Sequence, residues 1–197
     1  MDEVAQAEQE KYTKVWTHDV YRRMSPGFKG AKEILPVVQR FTEAGVSRIL
    51  DAGCGSGKLM KYLDEHEFSV CGLDIAENCL DDDVPEHCTL TVGNLWDADT
   101  YPEGPFEAVC CNDVLEHIPT ENVPQVLKAL RGVDGVKIAY FSVALFKDGY
   151  GPKLLGEPLH LTVKPSSWWM GMFNLTGWLP TEVHKSKGWL HIIATAD

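Results

Sequence analysis

An acidic residue, three alternating glycines and a second acidic residue form the pattern with the clearest chemistry in this sequence. Asp51 precedes Gly53, Gly55 and Gly57, and Asp74 ends the next apolar run. Glycine allows the backbone to approach a bound ligand closely. The carboxylate of Asp74 can accept hydrogen bonds from two vicinal ribose hydroxyls, and the charge of Asp51 favours a cationic ligand over a pyrophosphate. The pattern therefore favours an adenosine ligand that carries an amino acid and a sulfonium.

Two other glycine-loop ligands fit the same stretch less well. A P-loop requires G-x-x-x-x-G-K-[ST], in which the last hydroxyl binds magnesium. Here Ala52 replaces the first glycine and Leu59 replaces the Ser or Thr, and this excludes nucleoside triphosphate hydrolysis. A dinucleotide loop requires G-x-G-x-x-G, but Lys58 stands where the third glycine should be, and its long side chain obstructs close packing of helix on strand. Dinucleotide binding is therefore disfavoured, although it stays open.

Short apolar runs that alternate with helical stretches surround the glycine loop. Strands are predicted over residues 48–52, 69–73, 89–92, 108–111, 136–143, 181–185 and 189–194. Helices are predicted over residues 58–66, 123–130 and 166–175. Nearly continuous apolar strands alternating with helices are typical of a parallel sheet covered on both faces. A Ser-Lys-Gly turn at residues 186–188 suits a final hairpin, so the predicted fold class is α/β, doubly wound, with a mostly parallel seven-stranded sheet and a C-terminal antiparallel hairpin.

The N-terminal region has its own helical pattern. One helix is predicted over residues 3–21 and is expected to end in a Ser-Pro-Gly turn at residues 25–27. A second helix is predicted over residues 31–41, and Pro36 is expected to kink or split it. We expect residues 1–41 to form a helical cap on a domain that spans residues 42–197, the whole being one compact domain.

Composition and charge limit the classes of function that this chain could have. The chain has 197 residues, of which 44% are hydrophobic and 24% charged, as in soluble globular proteins. The net charge of −11 and the pI near 5.0 argue against nucleic-acid binding as the main role, because neutralising the phosphates needs clustered Lys and Arg side chains. The six cysteines form no C-x-x-C pair, so we expect reduced thiols and a cytoplasmic protein. Neither a signal peptide nor a membrane-spanning run is expected.

Four short motifs, in order, carry a resemblance to a known family. They are LDAGCGSGK at residues 50–58, CGLDI at 71–75, VGNL at 92–95 and FEAVCCNDVLEHIP at 106–119. From about Arg40 to the C-terminus the chain resembles the class I S-adenosylmethionine-dependent methyltransferases, especially the small-molecule type (methyltransferase type 11/12-like). The resemblance implies a Rossmann-like fold, S-adenosylmethionine as the cofactor, and methyl transfer to an O or N atom of a small-molecule acceptor.

The resemblance also implies which residues hold the cofactor. The implied set is Asp51, Gly53, Gly55, Asp74, Ile75, Asn94, Leu95 and Asn112. Within it, Asn94 and Leu95 are placed at the adenine and Asn112 near the methionyl end. Family members usually have Asp where this chain has Asn94, and either side chain can meet the adenine amino group.

Two histidines are the candidate catalytic residues. His117 follows the fourth predicted strand, and His160 lies after the fifth, where this family builds its acceptor pockets. Either could act as a base on the acceptor hydroxyl or amine, because the histidine pKa lies near working pH; the alternative for His117 is a structural role in its loop. No H-E-x-x-H motif or C-x-x-C pair is present, so no metal is expected.

Three N-terminal aromatic residues and several functional alternatives stay open. Tyr12, Trp16 and Tyr21 are interpreted either as a lid across the mouth of the site or as simple packing against the sheet. A basic cluster between residues 11 and 32 is the only support for methylation of protein or RNA. A cofactor-binding module without turnover and a NAD-dependent oxidoreductase are the further alternatives.

Overall fold

A seven-stranded sheet organises the chain in this computed structural model, which describes residues 3–24 and 31–196. The strands are β1 Arg48–Ala52, β2 Ser69–Asp74, β3 Thr89–Val92, β4 Ala108–Asn112, β5 Ile138–Ala144, β6 Leu179–Ser186 and β7 Trp189–Thr195. Their order across the sheet is β3-β2-β1-β4-β5-β7-β6. The first five strands pair in parallel, whereas β7 runs antiparallel between β5 and β6. The predicted α/β class, strand number and terminal hairpin are confirmed.

Seven helices accompany the sheet in the described part of the chain. They are α1 Glu3–Val15, α2 Asp19–Met24, α3 Ala31–Glu43, α4 Lys58–Asp64, α5 Val123–Arg131, α6 Gly151–Leu154 and α7 Ser166–Leu175. Short 3₁₀ turns follow β3 and β4, over Ala98–Thr100 and Leu115–His117. Within residues 3–24 and 31–196, no helix has both the length and the apolar character needed to cross a membrane.

The prediction of one continuous helix over residues 3–21 is wrong. In a continued helix the Lys14 carbonyl would accept a hydrogen bond from His18, but it accepts instead from the backbone N–H and the side-chain hydroxyl of Thr17. Threonine hydroxyls compete for helix carbonyls in this way, so α1 ends and α2 starts after a tight turn. Pro36 does not split the second helix, because α3 runs on through that residue, and the kink stays a prediction. The Ser-Pro-Gly turn predicted at residues 25–27 lies outside the described residues.

The core lies in two layers, one on each face of the sheet. Successive strand residues point to opposite faces, so Leu50 packs in one buried cluster and Ile49 in the other. The first cluster includes apolar residues of α5 and α7, such as Leu127 and Phe173. The second includes apolar residues of α3 and α4. The helices on both faces bury the central strands, and the ends of these strands can carry a site.

The strand order reverses its direction between β1 and β4. From β1 the chain moves outward to β2 and β3, and from β4 it moves the opposite way to β5. In such sheets a crevice opens beyond the carboxyl ends of the two strands at this point. The connection after β1, residues 53–57, and the connection after β4, residues 113–117, therefore face each other.

Candidate active site

A cavity of about 770 Å³, including its open mouth, lies at the carboxyl ends of β1, β2, β3 and β4. The residues that line it come from the strand ends and from the N-terminal helices. They include Tyr12, Trp16, Tyr21, Gly53, Gly55, Asp74, Ile75, Asn94, Leu95, Trp96, Asn112, Val114 and His117. The structure thus brings most of the residues expected at the cofactor to one cavity.

The glycine loop after β1 has a shape that other residues would strain. Gly53, Gly55 and Gly57 have φ values of 78°, 50° and 77°, in the left-handed region. A Cβ added at Gly53 would lie 2.7 Å from Val114 Cγ1 and closer still to Cγ2, and one at Gly55 would lie 3.0 Å from the Trp16 ring. A Cβ at Gly57 would instead meet Leu80 and Val84, away from the cavity. The first two glycines therefore form the cavity floor, whereas Gly57 allows close packing of the loop.

Asp74 closes the glycine loop from the end of β2. Its Oδ2 accepts a hydrogen bond from the backbone N–H of Gly55 at 2.9 Å, and its Oδ1 accepts one from Ala76 at 3.0 Å. Burial raises the pKa of this carboxyl, and these backbone donors act in the opposite direction. Each carboxylate oxygen can accept a second hydrogen bond, so Asp74 keeps acceptor capacity on a cavity wall.

Asp51 lies elsewhere than expected. It is buried within β1 and is not among the residues that line the cavity, because strand alternation gives it the same face as Ile49. Burial, and next the charge of Asp74, raise the pKa of Asp51 to about 7. Its predicted role toward a cation stays a prediction, and any such action would be through space rather than by contact.

Asn94 forms a closed turn at the cavity wall after β3. Its Oδ1 accepts a hydrogen bond from the backbone N–H of Trp96 at 3.1 Å, and its own N–H donates to the Thr100 hydroxyl at 2.9 Å. The side chain is buried, and the adjoining Leu95 and Trp96 complete an apolar slot. The slot suits a flat ring with a polar edge.

The two histidines predicted as candidate bases meet, although 42 residues separate them in sequence. Their ring centroids lie 4.7 Å apart. His117 lines the cavity, and its Nδ1 lies 2.6 Å from the hydroxyl of Tyr12. His160 lies behind His117 and is not among the residues that line the cavity. Its Nδ1 lies 2.6 Å from the carbonyl oxygen of Phe146. Burial above all, and then the charge of His160, lower the pKa of His117 to about 3, so His117 is neutral but a weak proton acceptor.

The carboxyl groups of Asp113 and Glu116 lie beside these histidines, and neither was among the predicted site residues. Glu116 is fully buried, and its Oε1 accepts a hydrogen bond from the Ala144 N–H at 2.6 Å. Burial raises the pKa of Glu116 far above its usual value, and the neighbouring Asp113 raises it further. Asp113 itself has a left-handed φ of 63°. The D-x-x-E-H spacing at residues 113–117 was the available signal, because a tight turn after a strand brings such residues together.

The N-terminal aromatic residues cover the cavity mouth. The Trp16 ring lies over Gly55 and makes an edge-to-face contact with Tyr21, with ring centroids 4.9 Å apart. Hydrogen bonds fasten α1 to the segment after β2: Gln9 Nε2 donates to the Ile75 carbonyl and Asn78 Nδ2 to that of Thr13, each at 3.0 Å. Both helices thus lie across the mouth, and opening and closing as a lid stays a prediction.

Arg22 is the main fastening point of α2. Its Nη1 donates to the carbonyl of Cys79 at 2.8 Å and lies 3.0 Å from Asp81 Oδ1. Its Nη2 donates to the Asn78 carbonyl. The loop after β2 is thereby tied to the helix that carries Tyr21.

Comparisons with known proteins give consistent likenesses. A family model described as a methyltransferase domain matches residues 16–133. The ubiquinone biosynthesis O-methyltransferase of Idiomarina loihiensis is 28% identical over 179 residues, which cover 81% of this chain and 64% of that protein. The enzyme of the same name from Methylococcus capsulatus is 33% identical over 90 residues, covering 42% of this chain and 37% of that protein. The chain thus spans less than two thirds of the length of these curated relatives.

Solved structures share the fold at low identity. The magnesium protoporphyrin IX methyltransferase ChlM from Synechocystis PCC 6803, with bound S-adenosylmethionine, aligns with a TM-score of 0.68 at 16% identity, covering 99% of this chain and 97% of its own. An S-adenosylmethionine-dependent methyltransferase from Mesorhizobium loti aligns with a TM-score of 0.64 at 16% identity, covering 82% and 97%.

Proposed function

This chain belongs to the methyltransferase-domain family, and from that premise we propose that it transfers a methyl group from S-adenosylmethionine to an oxygen atom of a small molecule. The observation that carries the proposal is the hydrogen-bonded pair of the glycine loop and Asp74 at the floor of one cavity. The oxygen acceptor is supported by the names of the curated relatives, which are O-methyltransferases.

The cavity offers a suitable group for each part of the cofactor. Asp74 would accept hydrogen bonds from the two ribose hydroxyls, and the slot at Asn94 and Leu95 would hold the adenine. Gly53, Gly55 and Asn112 would lie along the methionyl part, with Ile75 beside the ribose. The carboxylate of Asp74 on the wall, and the negative charge of Asp51 behind it, favour a ligand that bears a sulfonium.

When bound, the cofactor supplies a methyl group on a positively charged sulfur, already activated for displacement. The acceptor oxygen would attack in line, forming the C–O bond as the C–S bond breaks and its electron pair passes to sulfur. The contribution of the protein is to hold donor and acceptor in this geometry and to exclude water. His117 and His160 stay candidates for taking the hydroxyl proton, although the low pKa of His117 weakens its case.

The form of the site supports a small acceptor. The aromatic side chains of Tyr12, Trp16 and Tyr21 cover the mouth, so the site is a cavity rather than an open groove. The net charge of −11 disfavours a phosphate backbone as the acceptor.

Calorimetric titration tests the cofactor assignment. We expect S-adenosylmethionine and S-adenosylhomocysteine to bind, and NAD and ATP not to bind. Asp74→Ala should weaken S-adenosylhomocysteine binding by at least about tenfold, since it removes charged acceptors of two hydrogen bonds. Glu86→Ala, at an exposed position away from the cavity, is the control. Binding of NAD in preference to S-adenosylhomocysteine would overturn the proposal.

A second assay tests turnover. The chain is incubated with labelled S-adenosylmethionine and a panel of hydroxylated small molecules, a peptide mixture and RNA. Label in a small molecule is the expected result. Label in peptide or RNA would move the acceptor to a macromolecule, and binding with no transfer to any acceptor would indicate a module without turnover.

A further inference from the structure

Three side chains of different donor type converge at the end of the sheet opposite the cavity. They are Asp64, the last residue of α4, and His87 and Cys88, which directly precede β3. One ligand atom of each lies within 4.8 Å of both others. The cavity lies at the carboxyl ends of the strands, and none of these three residues lines it. The cluster is therefore separate from the candidate active site.

A hydrogen bond already joins two of the three groups. His87 Nε2 lies 2.6 Å from Asp64 Oδ1. The side chain of His87 is 69% exposed and that of Asp64 is 24% exposed, so both can turn without disturbing the core. The ligand atoms of a tetrahedral zinc ion, with bonds of about 2.0–2.3 Å, stand about 3.3–3.7 Å apart. Rotation of these two side chains opens the pair to that spacing, and an ion then takes the place of the hydrogen between them.

Cys88 supplies the third donor from a buried position. The residue is 5% exposed, and its backbone N–H donates to the Pro85 carbonyl at 2.9 Å, which fixes the turn before β3. Burial above all, and then the charge of Asp64, raise the pKa of the Cys88 thiol. The carboxylate and the sulfur are thus close enough to repel each other when both are charged. A cation between them turns this repulsion into two attractions.

The surroundings of the cluster carry negative charge. Residues 81–88, with the sequence DDDVPEHC, contain four acidic residues and no Lys or Arg. Residues 64–67, with the sequence DEHE, add three more acidic residues. Lys61, one turn earlier on α4, binds Asp83 of the same loop at 2.5 Å. A field of this sign raises the local concentration of cations.

We propose that Asp64, His87 and Cys88 bind one Zn²⁺ ion, with water in the fourth position. Zn²⁺ takes cysteine sulfur, histidine nitrogen and carboxylate oxygen in tetrahedral sites. A thiolate suits Zn²⁺ better than Mg²⁺ or Ca²⁺, which prefer oxygen. The thiol proton passes to the buffer as the Zn–S bond forms. The sequence expectation of no metal rested on the absence of compact motifs, whereas this site joins two adjacent residues to a carboxylate that precedes His87 by 23 positions.

The ion would fasten the loop between β2 and β3 at its far end. This loop spans residues 75–88, and Arg22 binds two of its carbonyls near its beginning. Zinc at His87 and Cys88 would hold the other end to α4, which begins directly after the glycine loop. The loop would then be held at both ends, so its backbone amides should exchange hydrogen more slowly when zinc is bound.

Binding of Zn²⁺ and Co²⁺ tests the site in the full chain without cofactor. The chain is treated with EDTA, kept reduced and exchanged into metal-free buffer. Zn²⁺ is titrated in competition with a chromophoric chelator, and we expect one ion per chain. Co²⁺ serves as a spectroscopic substitute, because a cysteine thiolate bound to Co²⁺ gives a charge-transfer band in the near ultraviolet. We expect this band in the wild-type chain.

Substitutions assign the ion to the three residues. Cys88→Ser should abolish the thiolate band. His87→Ala and Asp64→Ala should each weaken Zn²⁺ binding by at least about tenfold, since even changes outside the ligand shell cost about 10- to 100-fold. His184→Ala, at another exposed histidine, should leave binding unchanged. Cys79→Ala removes a thiol from a different cluster and should keep the band.

The outcomes decide the site and its role separately. Thermal unfolding checks that each variant is folded, and His87→Ala, at an exposed position, decides if Cys88→Ser does not fold. Lack of Zn²⁺ binding to the wild type, unchanged binding in His87→Ala, or a thiolate band that persists in folded Cys88→Ser would overturn the site. Equal hydrogen exchange of residues 75–88 with and without Zn²⁺ would refute the fastening role. Titration with S-adenosylhomocysteine in the absence of zinc tests the proposed function by itself, so the two proposals can fail independently.

Discussion

Replacing Gly53 by Ala tests whether the glycine loop is shaped by its neighbour across the strand reversal. The backbone at Gly53 has a φ of 78°, which costs an L-residue about 1–2 kcal/mol. The new Cβ would also lie 2.7 Å from Val114 Cγ1, and overlap of this kind in a packed site costs about 1–3 kcal/mol. Together the two contributions should lower the free energy of unfolding by about 2–5 kcal/mol.

A double-mutant cycle separates the two contributions. Val114→Ala removes the two methyl groups nearest to the new Cβ and keeps only the Val114 Cβ, 3.1 Å away, while it leaves the backbone conformation unchanged. In that background Gly53→Ala should cost only about 1–2 kcal/mol, the backbone part, so that the coupling between the positions is about 1–3 kcal/mol. Urea denaturation of the four proteins gives the free energies. An equal cost of Gly53→Ala in both backgrounds would refute the steric argument, and no cost in either would refute both parts.

Two further substitutions test the lid and the buried strand acid. Arg22→Ala removes the hydrogen bonds from α2 to the carbonyls of Asn78 and Cys79, so S-adenosylhomocysteine should dissociate at least about tenfold faster in stopped-flow displacement. Arg23→Ala, at an exposed position on the same helix, should not change the rate. Equal rates in the wild type and Arg22→Ala would contradict the fastening role. The pKa of Asp51 is raised to about 7 in the folded protein. As pH rises from about 4 to 7, the Asp51 carboxyl therefore loses its proton in the unfolded chain before it does so in the folded one, and the free energy of unfolding of the cofactor-free protein should fall. Asp51→Asn should reduce this fall in chemical denaturation at a series of pH values, and an identical pH profile would show that Asp51 is not its source.

The sheet and the glycine loop of the cavity could be predicted because their signals are local. Apolar strands of four to eight residues marked the sheet, and the alternating glycines reported backbone conformations that only glycine adopts readily, as the φ values of Gly53 and Gly55 confirm. The final hairpin was also local, since Lys187 and Gly188 have φ values of 48° and 86°, as a two-residue turn between strands requires.

The errors have physical causes that apolar spacing does not record. Apolar spacing predicted one helix over residues 3–21, but it does not record that the Thr17 hydroxyl takes the Lys14 carbonyl and that α1 ends there. The role of Asp51 toward the cofactor stays a prediction, but alternation from Ile49 could have predicted that its side chain points into the layer of α3 and α4 rather than into the cavity. The contact of His117 with His160 depends on how the chain returns after β5, and no local spacing encodes that path.

One contact links the two halves of the proposed reaction site. Val114, which fills the space left by the absent side chain of Gly53, stands between Asp113 and Glu116 in sequence. The backbone that fits against the glycine loop is therefore the same backbone that carries His117, a candidate for taking the acceptor proton. Since in-line transfer depends on the relative position of donor and acceptor, Gly53→Ala should lower both S-adenosylhomocysteine affinity and the rate of methyl transfer at saturating S-adenosylmethionine. Loss of affinity with an unchanged rate at saturating cofactor would show that the two halves are positioned independently.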